Sequence, residues 1–223
     1  MPAAQALIFD FDGVLADTEA LHCAALQAVM ADANLPLSRT EYYERYLGLS
    51  DRDCILTMYE RAGMAVSTSY VDGLVARKRE RFALIMRDAG LYAGTATALR
   101  RLAERHVLAI ASGAFRDEIE TVLERAQVLE LFSAVIGVED AAAGKPAPDP
   151  FLAALRAINE RKGLRLTPAD CLVIEDSPRG IAAAHAAGIR CVAITTSHER
   201  AGLAQADAII SRLDELCLEE LDP

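Results

Sequence analysis

The sequence has few cysteines and no closely spaced pair of them. Its five cysteines are scattered along 223 residues, and no Cys-x-x-Cys motif occurs. An odd, dispersed set is typical neither of a disulfide framework nor of a zinc site. The pattern therefore indicates reduced thiols, which are Cys23, Cys54, Cys171, Cys191 and Cys217.

Long apolar runs and an excess of positive charge are also missing. No apolar stretch approaches about 18 residues, the length that a transmembrane helix needs, and no basic residue precedes Asp10. We therefore expect no membrane span, no export signal and a cytoplasmic location. The 33 acidic against 23 basic residues give a net charge of −10. This charge repels phosphate backbones and anionic membranes, and it argues against nucleic acid as a partner.

The remaining composition is that of a globular protein. Apolar residues make up 52% of the chain and charged residues 25%, close to the averages for folded domains. At roughly 150 residues per domain, the length allows one large domain or two small ones. Disorder is therefore excluded as the main state of the chain.

Short apolar runs rich in β-branched residues predict strands that are buried on both faces. The predicted strands are Ala6–Phe9, Val107–Ala111, Ala134–Val138, Cys171–Ile174, Cys191–Ile194 and Ala208–Ile210. Helical patterns lie between most of them, at Thr95–Arg105, Phe115–Ala126, Pro150–Lys162 and Pro178–Ala187. This alternation predicts an α/β fold with a three-layer, Rossmann-like parallel sheet.

The stretch between the first two strands contains no strand pattern. It shows only amphipathic helical patterns, at Asp17–Ala31, Arg39–Leu47, Asp51–Ala62 and Ser69–Arg87. Because the first strand must pair with strands that come much later, we expect an inserted, all-helical cap domain at 17–90. The Rossmann-like core is then predicted at 1–16 and 91–223, with hinges near Gly13–Thr18 and Gly90–Gly94.

Residues able to carry chemistry follow four of the predicted strands. They are Asp10 and Asp12 after the first strand, Ser112 and Gly113 after the second, Lys145 after the third, and Glu175 and Asp176 after the fourth. Taken singly, each has an ordinary explanation as a turn, a helix cap or a solvated lysine. The carboxyl ends of parallel strands, however, share one ligand crevice. Three prolines close behind Lys145 also predict a stiff, extended segment there.

This constellation resembles the haloacid dehalogenase superfamily over the whole chain. The matching motifs are Phe9–Thr18, Ala111–Gly113, Gly144–Pro146 and Ile174–Ser177, in the order and strand-end positions of that family. The helical insert is similar to the family's first-position helical cap. The pattern is most similar to the sugar-phosphate phosphatases and β-phosphoglucomutases of the superfamily.

The resemblance implies a role for each of these residues in phosphoryl transfer with Mg²⁺. It implies that Asp10 is the nucleophile and a metal ligand, and that Asp12 supplies its carbonyl to the metal and acts as acid and base. Asp176 would be a further ligand. Glu175 would orient metal-bound water and so also belong to the metal site. Lys145, Ser112 and the Gly113 amide would hold the phosphoryl oxygens. The expected intermediate is an aspartyl phosphate, which divides one hard step into two easier ones.

Two positions separate the chemistries found within the superfamily. Members similar to the dehalogenases lack an acid at the place of Asp12, since a halide leaves without a proton, so Asp12 favours phosphoryl transfer. Relatives that cleave phosphonates carry a Schiff-base lysine in the cap. The similar stretch here has Asp51 at the aligned position, which disfavours that activity.

The cap domain is expected to close over the active site and to contact the leaving group. His22, Arg52 and Lys78 align with substrate-contacting positions of the β-phosphoglucomutase-like proteins. Each also has an ordinary explanation, because a basic run such as Arg77–Arg81 on a helix is usually a solvated face, and a lone histidine there is usually structural. If Arg52 and Lys78 face the site, a substrate with a second anionic group is favoured.

The sequence thus predicts a Mg²⁺-dependent phosphatase of a small phosphorylated metabolite, such as a sugar phosphate or phosphoglycolate. A β-phosphoglucomutase-like mutase is the alternative, because it needs the same core residues. A phospho-accepting signalling module is more remote, since it needs neither a lid nor the acid Asp12. A silent binding protein is also more remote, because all the catalytic positions are filled. We expect a monomer or a weak homo-oligomer.

Overall fold

The fold is seen in a computed structural model that describes residues 4–85 and 89–217. The chain divides into two compact units. One unit, the cap domain, is Thr18–Ala89, and the other, the core, is formed by the chain up to Asp17 and from Gly90 onward. The boundaries predicted from the sequence, 17 and 90, lie one residue outside the cap domain at each end.

The core contains one parallel sheet of six strands in the order β3-β2-β1-β4-β5-β6. The strands are β1 (Ala6–Phe9), β2 (Val107–Ala111), β3 (Phe132–Ile136), β4 (Cys171–Glu175), β5 (Arg190–Ile194) and β6 (Ala208–Ile210). The helices in chain order are α1 (Glu19–Asp32), α2 (Arg39–Arg45), α3 (Asp51–Arg61), α4 (Thr68–Ile85), α5 (Thr95–Ala103), α6 (Arg116–Arg125), α7 (Asp149–Lys162) and α8 (Pro178–Ala186). Helices α5 to α8 flank the sheet, which confirms the predicted Rossmann-like α/β fold.

Strand β1 lies at the centre of the sheet and is fully buried. Its alternate residues Ala6 and Ile8 pack in one apolar cluster with Phe151 of α7 and Ile181 of α8. In the register of the sheet, Phe9 is paired with Ile110 on one side and with Ile174 on the other. Because the strands are parallel and in register, the residues that follow β1, β2 and β4 emerge at one edge of the sheet.

The cap domain has an apolar core of its own. Helices α1, α3 and α4 contribute fully buried side chains to it, among them Met30, Ile55 and Leu74. Ser38 and Ser50 begin α2 and α3, because each side chain accepts a hydrogen bond from a backbone N–H three residues on, the usual N-cap arrangement. The final part of the predicted helix Ser69–Arg87 lies outside the described residues.

Two local predictions were wrong. β3 was predicted as Ala134–Val138 but ends at Ile136, because Asp140 accepts a hydrogen bond from the Gly137 N–H and turns the chain. Lys145 lies in a turn closed by the Ala147 N–H and the Gly144 carbonyl rather than in an extended segment. Proline fixes φ and lacks an N–H but is compatible with a turn and with the first turn of a helix. Accordingly, α7 begins at Asp149 and takes in Pro150.

None of the helices in the described part of the chain is long and apolar enough to cross a membrane.

We expect Ile8→Ala in β1 to lower the free energy of unfolding by about 2–5 kcal/mol, because Ile8 is fully buried in the core cluster and large-to-small changes leave a cavity. Urea unfolding followed by circular dichroism measures the loss. Leu164→Ala is the matched control, since Leu164 is 38% exposed, and it should cost less than about 1 kcal/mol. Equal losses for both variants would contradict the central placement of β1.

Candidate active site

Asp10 stands at the point where β1 leaves the sheet. Its N–H donates to the Ile174 carbonyl at 2.9 Å, so the backbone pairing with β4 continues one residue past the strand. The carboxyl group is almost entirely buried. The chain then turns tightly, as the Leu15 and Ala16 N–H groups both donate to the Phe11 carbonyl. This turn holds Asp12 and Gly13 next to the strand end.

The Lys145 ammonium joins two buried carboxylates. Its Nζ lies 2.9 Å from Asp10 Oδ1 and 2.7 Å from Glu175 Oε1. The Phe151 ring lies below it, with its centroid 5.0 Å from Nζ. An ammonium has three N–H donors, so two carboxylates leave it one further donor.

Glu175, the last residue of β4, is held by both of its oxygens. Its Oε2 accepts hydrogen bonds from the Asp176 N–H, the Ser177 N–H and the Ser177 hydroxyl, at 2.8, 2.8 and 2.9 Å. Gly180 in the first turn of α8 makes room for this carboxylate, since a Cβ there would overlap it. The side chain is therefore fixed within the protein interior.

Burial and charge act in opposite directions on these groups. Burial raises the pKa of Asp10 to about 7. The Lys145 ammonium offsets only part of this increase, and the negative charges of Glu175 and Asp12 add to it. Burial alone would also raise the pKa of Glu175, but Lys145 and the amides of Ser177 and Asp176 outweigh it, and the net shift is downward. The two acids in turn raise the pKa of Lys145 against the effect of its burial. Buried perturbed groups of this kind are typical of functional sites.

A divalent cation fits the acidic group at this sheet edge. Asp10, Glu175 and Asp176 each offer a carboxylate oxygen, and these atoms lie within 4.8 Å of one another. An all-oxygen set with several carboxylates suits a hard cation such as Mg²⁺. The buried Asp10 Oδ1 has the Lys145 ammonium at 2.9 Å, and this positive charge offsets part of the repulsion within the acidic set.

The second predicted motif follows β2, the neighbour of β1. The Ser112 N–H donates to the Ile136 carbonyl at 3.0 Å, and its hydroxyl accepts from the Ala114 N–H at 3.2 Å. A Cβ built on Gly113 would have no atom within 4 Å, so the space beside this residue is open. The loop is held in place further along, where the Arg116 guanidinium binds Asp140 through two nitrogens, at 2.5 and 3.2 Å.

The three predicted substrate contacts of the cap domain fall into two separate groups. Lys78 is fully buried, and its Nζ lies 2.6 Å from His22 Nδ1 and 2.8 Å from Asp51 Oδ2. Arg52 pairs instead with the exposed Asp72. The expectation of a solvated basic run is therefore wrong for Lys78, because Asp51 and His22 supply partners inside the domain.

Sequence reasoning missed two contributions to the core site. Arg179 in α8 donates to the Lys145 carbonyl at 2.5 Å. Thr196 and Ser197, in the loop after β5, donate to the Gly13 carbonyl and to Asp176 Oδ2. The loop after β5 opens at the same sheet edge as the other motifs, so the strand-end rule could have identified it.

Comparison with known proteins identifies the family. The sequence model of the haloacid dehalogenase-like hydrolases matches residues 7–194, which include every core-site residue predicted from the sequence. The Drosophila melanogaster protein named probable pseudouridine-5'-phosphatase is 36% identical over 196 residues, covering 84% of this chain and 80% of that protein. Bacillus subtilis β-phosphoglucomutase is 27% identical over 224 residues, covering 97% and 93%.

A solved structure shows the same fold. The crystal structure of CbbY from Rhodobacter sphaeroides in complex with phosphate has a TM-score of 0.84 to this chain at 26% sequence identity. The match covers 99% of this chain and all of that one.

We expect Gly13→Ala to disrupt the site. Gly13 has φ +76°, and a Cβ there would overlap the Asp176 carboxylate and lie 2.6 Å from Ser197 Oγ. The change therefore imposes left-handed strain and displaces an acid, and we expect turnover to fall at least about tenfold. Gly202→Ala, where a Cβ meets nothing within 4 Å, is the control in the same phosphate-release assay. Wild-type turnover by Gly13→Ala would show that the close approach of Asp176 is unimportant.

Proposed function

The chain belongs to the haloacid dehalogenase-like hydrolases, and we propose that it is a Mg²⁺-dependent phosphatase in which Asp10 accepts the phosphoryl group of a small phosphorylated metabolite. The single observation that supports this most is the Asp10 carboxylate, which lies 2.9 Å from the Lys145 ammonium and within 4.8 Å of oxygens of Glu175 and Asp176. The similarity to a phosphatase and to phosphate-bound CbbY points to the same chemistry.

Asp10 is a suitable nucleophile because it is buried and charge-compensated. Attack by one of its oxygens on phosphorus breaks the ester bond and leaves the phosphoryl group on the Asp10 carboxylate. Two of the three N–H donors of the Lys145 ammonium are directed to Asp10 and Glu175. The third can bind a phosphoryl oxygen and so support this step. The Ser112 hydroxyl and the Gly113 N–H supply further donors to the same group.

Mg²⁺ would be held by Asp10, Asp176 and the Asp12 carbonyl, with Glu175 beside it. When bound, it supplies the positive charge that offsets the repulsion between the carboxylate and the phosphate ester. The three donors are oxygens, and two of them belong to carboxyl groups at one sheet edge.

Asp12 completes the reaction as acid and then as base. It lies two residues beyond Asp10 in the tight turn after β1 and is only partly buried there, so it can reach a leaving group. A protonated Asp12 gives its proton to the departing alkoxide, and the resulting carboxylate then takes a proton from the water that hydrolyses the aspartyl phosphate. The products are an alcohol, inorganic phosphate and the regenerated Asp10 carboxylate.

A phosphoglucomutase-like activity is the second candidate, since the Bacillus subtilis enzyme of that name matches nearly the whole chain. Two ion pairs within the cap domain favour the phosphatase over it. Lys78 is buried and paired with Asp51, and Arg52 is paired with Asp72, so each of these two predicted anion contacts has an acidic neighbour. We therefore propose that the substrate carries one phosphate.

Several expectations remain predictions. They are the substrate contacts of His22, Arg52 and Lys78, the cytoplasmic location, the monomeric or weakly associated state, and the exclusion of nucleic acid and membranes as partners.

The proposal is tested by phosphate release from a panel of sugar phosphates, phosphoglycolate and nucleotides, each with Mg²⁺ and with a chelator. β-Glucose 1-phosphate primed with the 1,6-bisphosphate is included and assayed for glucose 6-phosphate. We expect Mg²⁺-dependent release from a preferred monophosphate, and no release by Asp10→Asn, which should keep the wild-type melting temperature. Isomerisation with little free phosphate would transfer the assignment to the mutase, and turnover by Asp10→Asn would remove Asp10 as nucleophile.

We expect Asp12→Ala to slow hydrolysis in proportion to the basicity of the leaving group. An alkyl phosphate needs a proton on its departing oxygen, so its kcat should fall about 10²–10⁴-fold, whereas para-nitrophenyl phosphate should lose far less. Steady-state rates with both esters give the comparison, and Asp17→Ala, at an exposed acid of the same segment, is the control. Equal losses for the two esters would rule out Asp12 as the general acid.

A further inference from the structure

The loop that follows β5 binds both acidic loops of the core site. Its first residue is anchored to the neighbouring strand, since the Thr195 N–H donates to the Ile210 carbonyl at 3.1 Å. The next two side chains point back to the site, and their hydroxyls donate to the Gly13 carbonyl and to Asp176 Oδ2. His198 Nδ1 then lies 3.1 Å from the Asp176 carbonyl oxygen.

The contact between Ser197 and Asp176 is closely packed. Ser197 Oγ lies 2.6 Å from the position that a Cβ on Gly13 would take, so the hydroxyl occupies part of the space that this glycine leaves open. Asp176 itself is buried. The loop thus contacts Asp176 at two points, the carboxylate through Ser197 and the main chain through His198.

Holding one carboxylate oxygen fixes the direction of the other. Asp176 Oδ2 accepts a hydrogen bond from the Ser197 hydroxyl, so the Asp176 carboxylate cannot rotate without losing that hydrogen bond. Hydrogen bonds to ligating side chains usually matter for metal affinity, and their loss typically weakens binding 10–100-fold. Ser197 lies outside the four motifs on which the resemblance rests.

We propose that Ser197 is a positioning residue that orients the Asp176 carboxylate for a divalent cation and thereby sets the affinity of the site for it. The inference rests on the proposed function, because it takes Asp176 as a ligand. Ser197 itself is not placed in contact with substrate or with the reacting atoms. Its contribution passes through the one hydrogen bond to Asp176.

The test is a titration of the free enzyme with Mn²⁺ alone, with unbound Mn²⁺ followed by electron paramagnetic resonance and no substrate present. We expect Ser197→Ala to raise the dissociation constant at least about tenfold without changing the melting temperature of the metal-free protein. Ser197→Thr keeps the hydroxyl and should bind nearly as tightly as the wild type. Ser211→Ala, at an exposed serine after β6, is the matched control and should not differ from the wild type.

Activity provides a second readout with a different signature. For Ser197→Ala the concentration of Mg²⁺ that gives half-maximal rate should rise by the same factor, while the rate at saturating Mg²⁺ stays within about twofold of the wild type. Wild-type Mn²⁺ affinity in Ser197→Ala would overturn the inference, and so would an equal loss in Ser197→Thr. Failure of the wild-type protein to bind Mn²⁺ would contradict the metal dependence of the proposed function itself, which separates the two results.

Discussion

The buried ammonium of Lys145 is the interaction on which the rest of the site depends. It lies within 2.9 Å of both Asp10 and Glu175, two acids that would otherwise repel each other in a region of low dielectric constant. Glu175 has its other oxygen committed to three donors, and the Arg179 guanidinium fixes the carbonyl of Lys145. The Asp10 carboxyl group, the proposed nucleophile, can therefore ionise although it is buried, because the Lys145 ammonium lies next to it.

This arrangement follows from the central position of β1. Its register with β2 and β4 brings three strand ends to one edge of the sheet, and the apolar cluster around Ile8 and Phe151 holds that register. Charged groups can then converge from distant parts of the sequence without a long loop to carry them. The same principle explains the contribution of the loop after β5, whose strand lies next to β4.

The central strands and the acidic motifs could be predicted because their signals are local. β1 and β2 were placed correctly, since each is a short apolar run ended by a polar residue. Burial of Lys78 could not be predicted, because its partners Asp51 and His22 are distant in sequence. The roles of Ser197 and Arg179 were missed for a similar reason, as a single hydroxyl or guanidinium carries no pattern. The end of β3 depended on one side chain, Asp140, that turns the chain.

The most direct test of the account asks where the phosphoryl group resides during turnover. The wild-type enzyme is mixed with its preferred ester and Mg²⁺, quenched in acid within the first turnover, treated with borohydride and digested for mass spectrometry. Reduction converts an aspartyl phosphate into homoserine. We therefore expect homoserine at position 10, in the peptide that contains Phe9 and Phe11, in an amount that follows the burst of product. Full phosphate release with unmodified Asp10 throughout the first turnover would contradict the account, because water would then attack the ester directly.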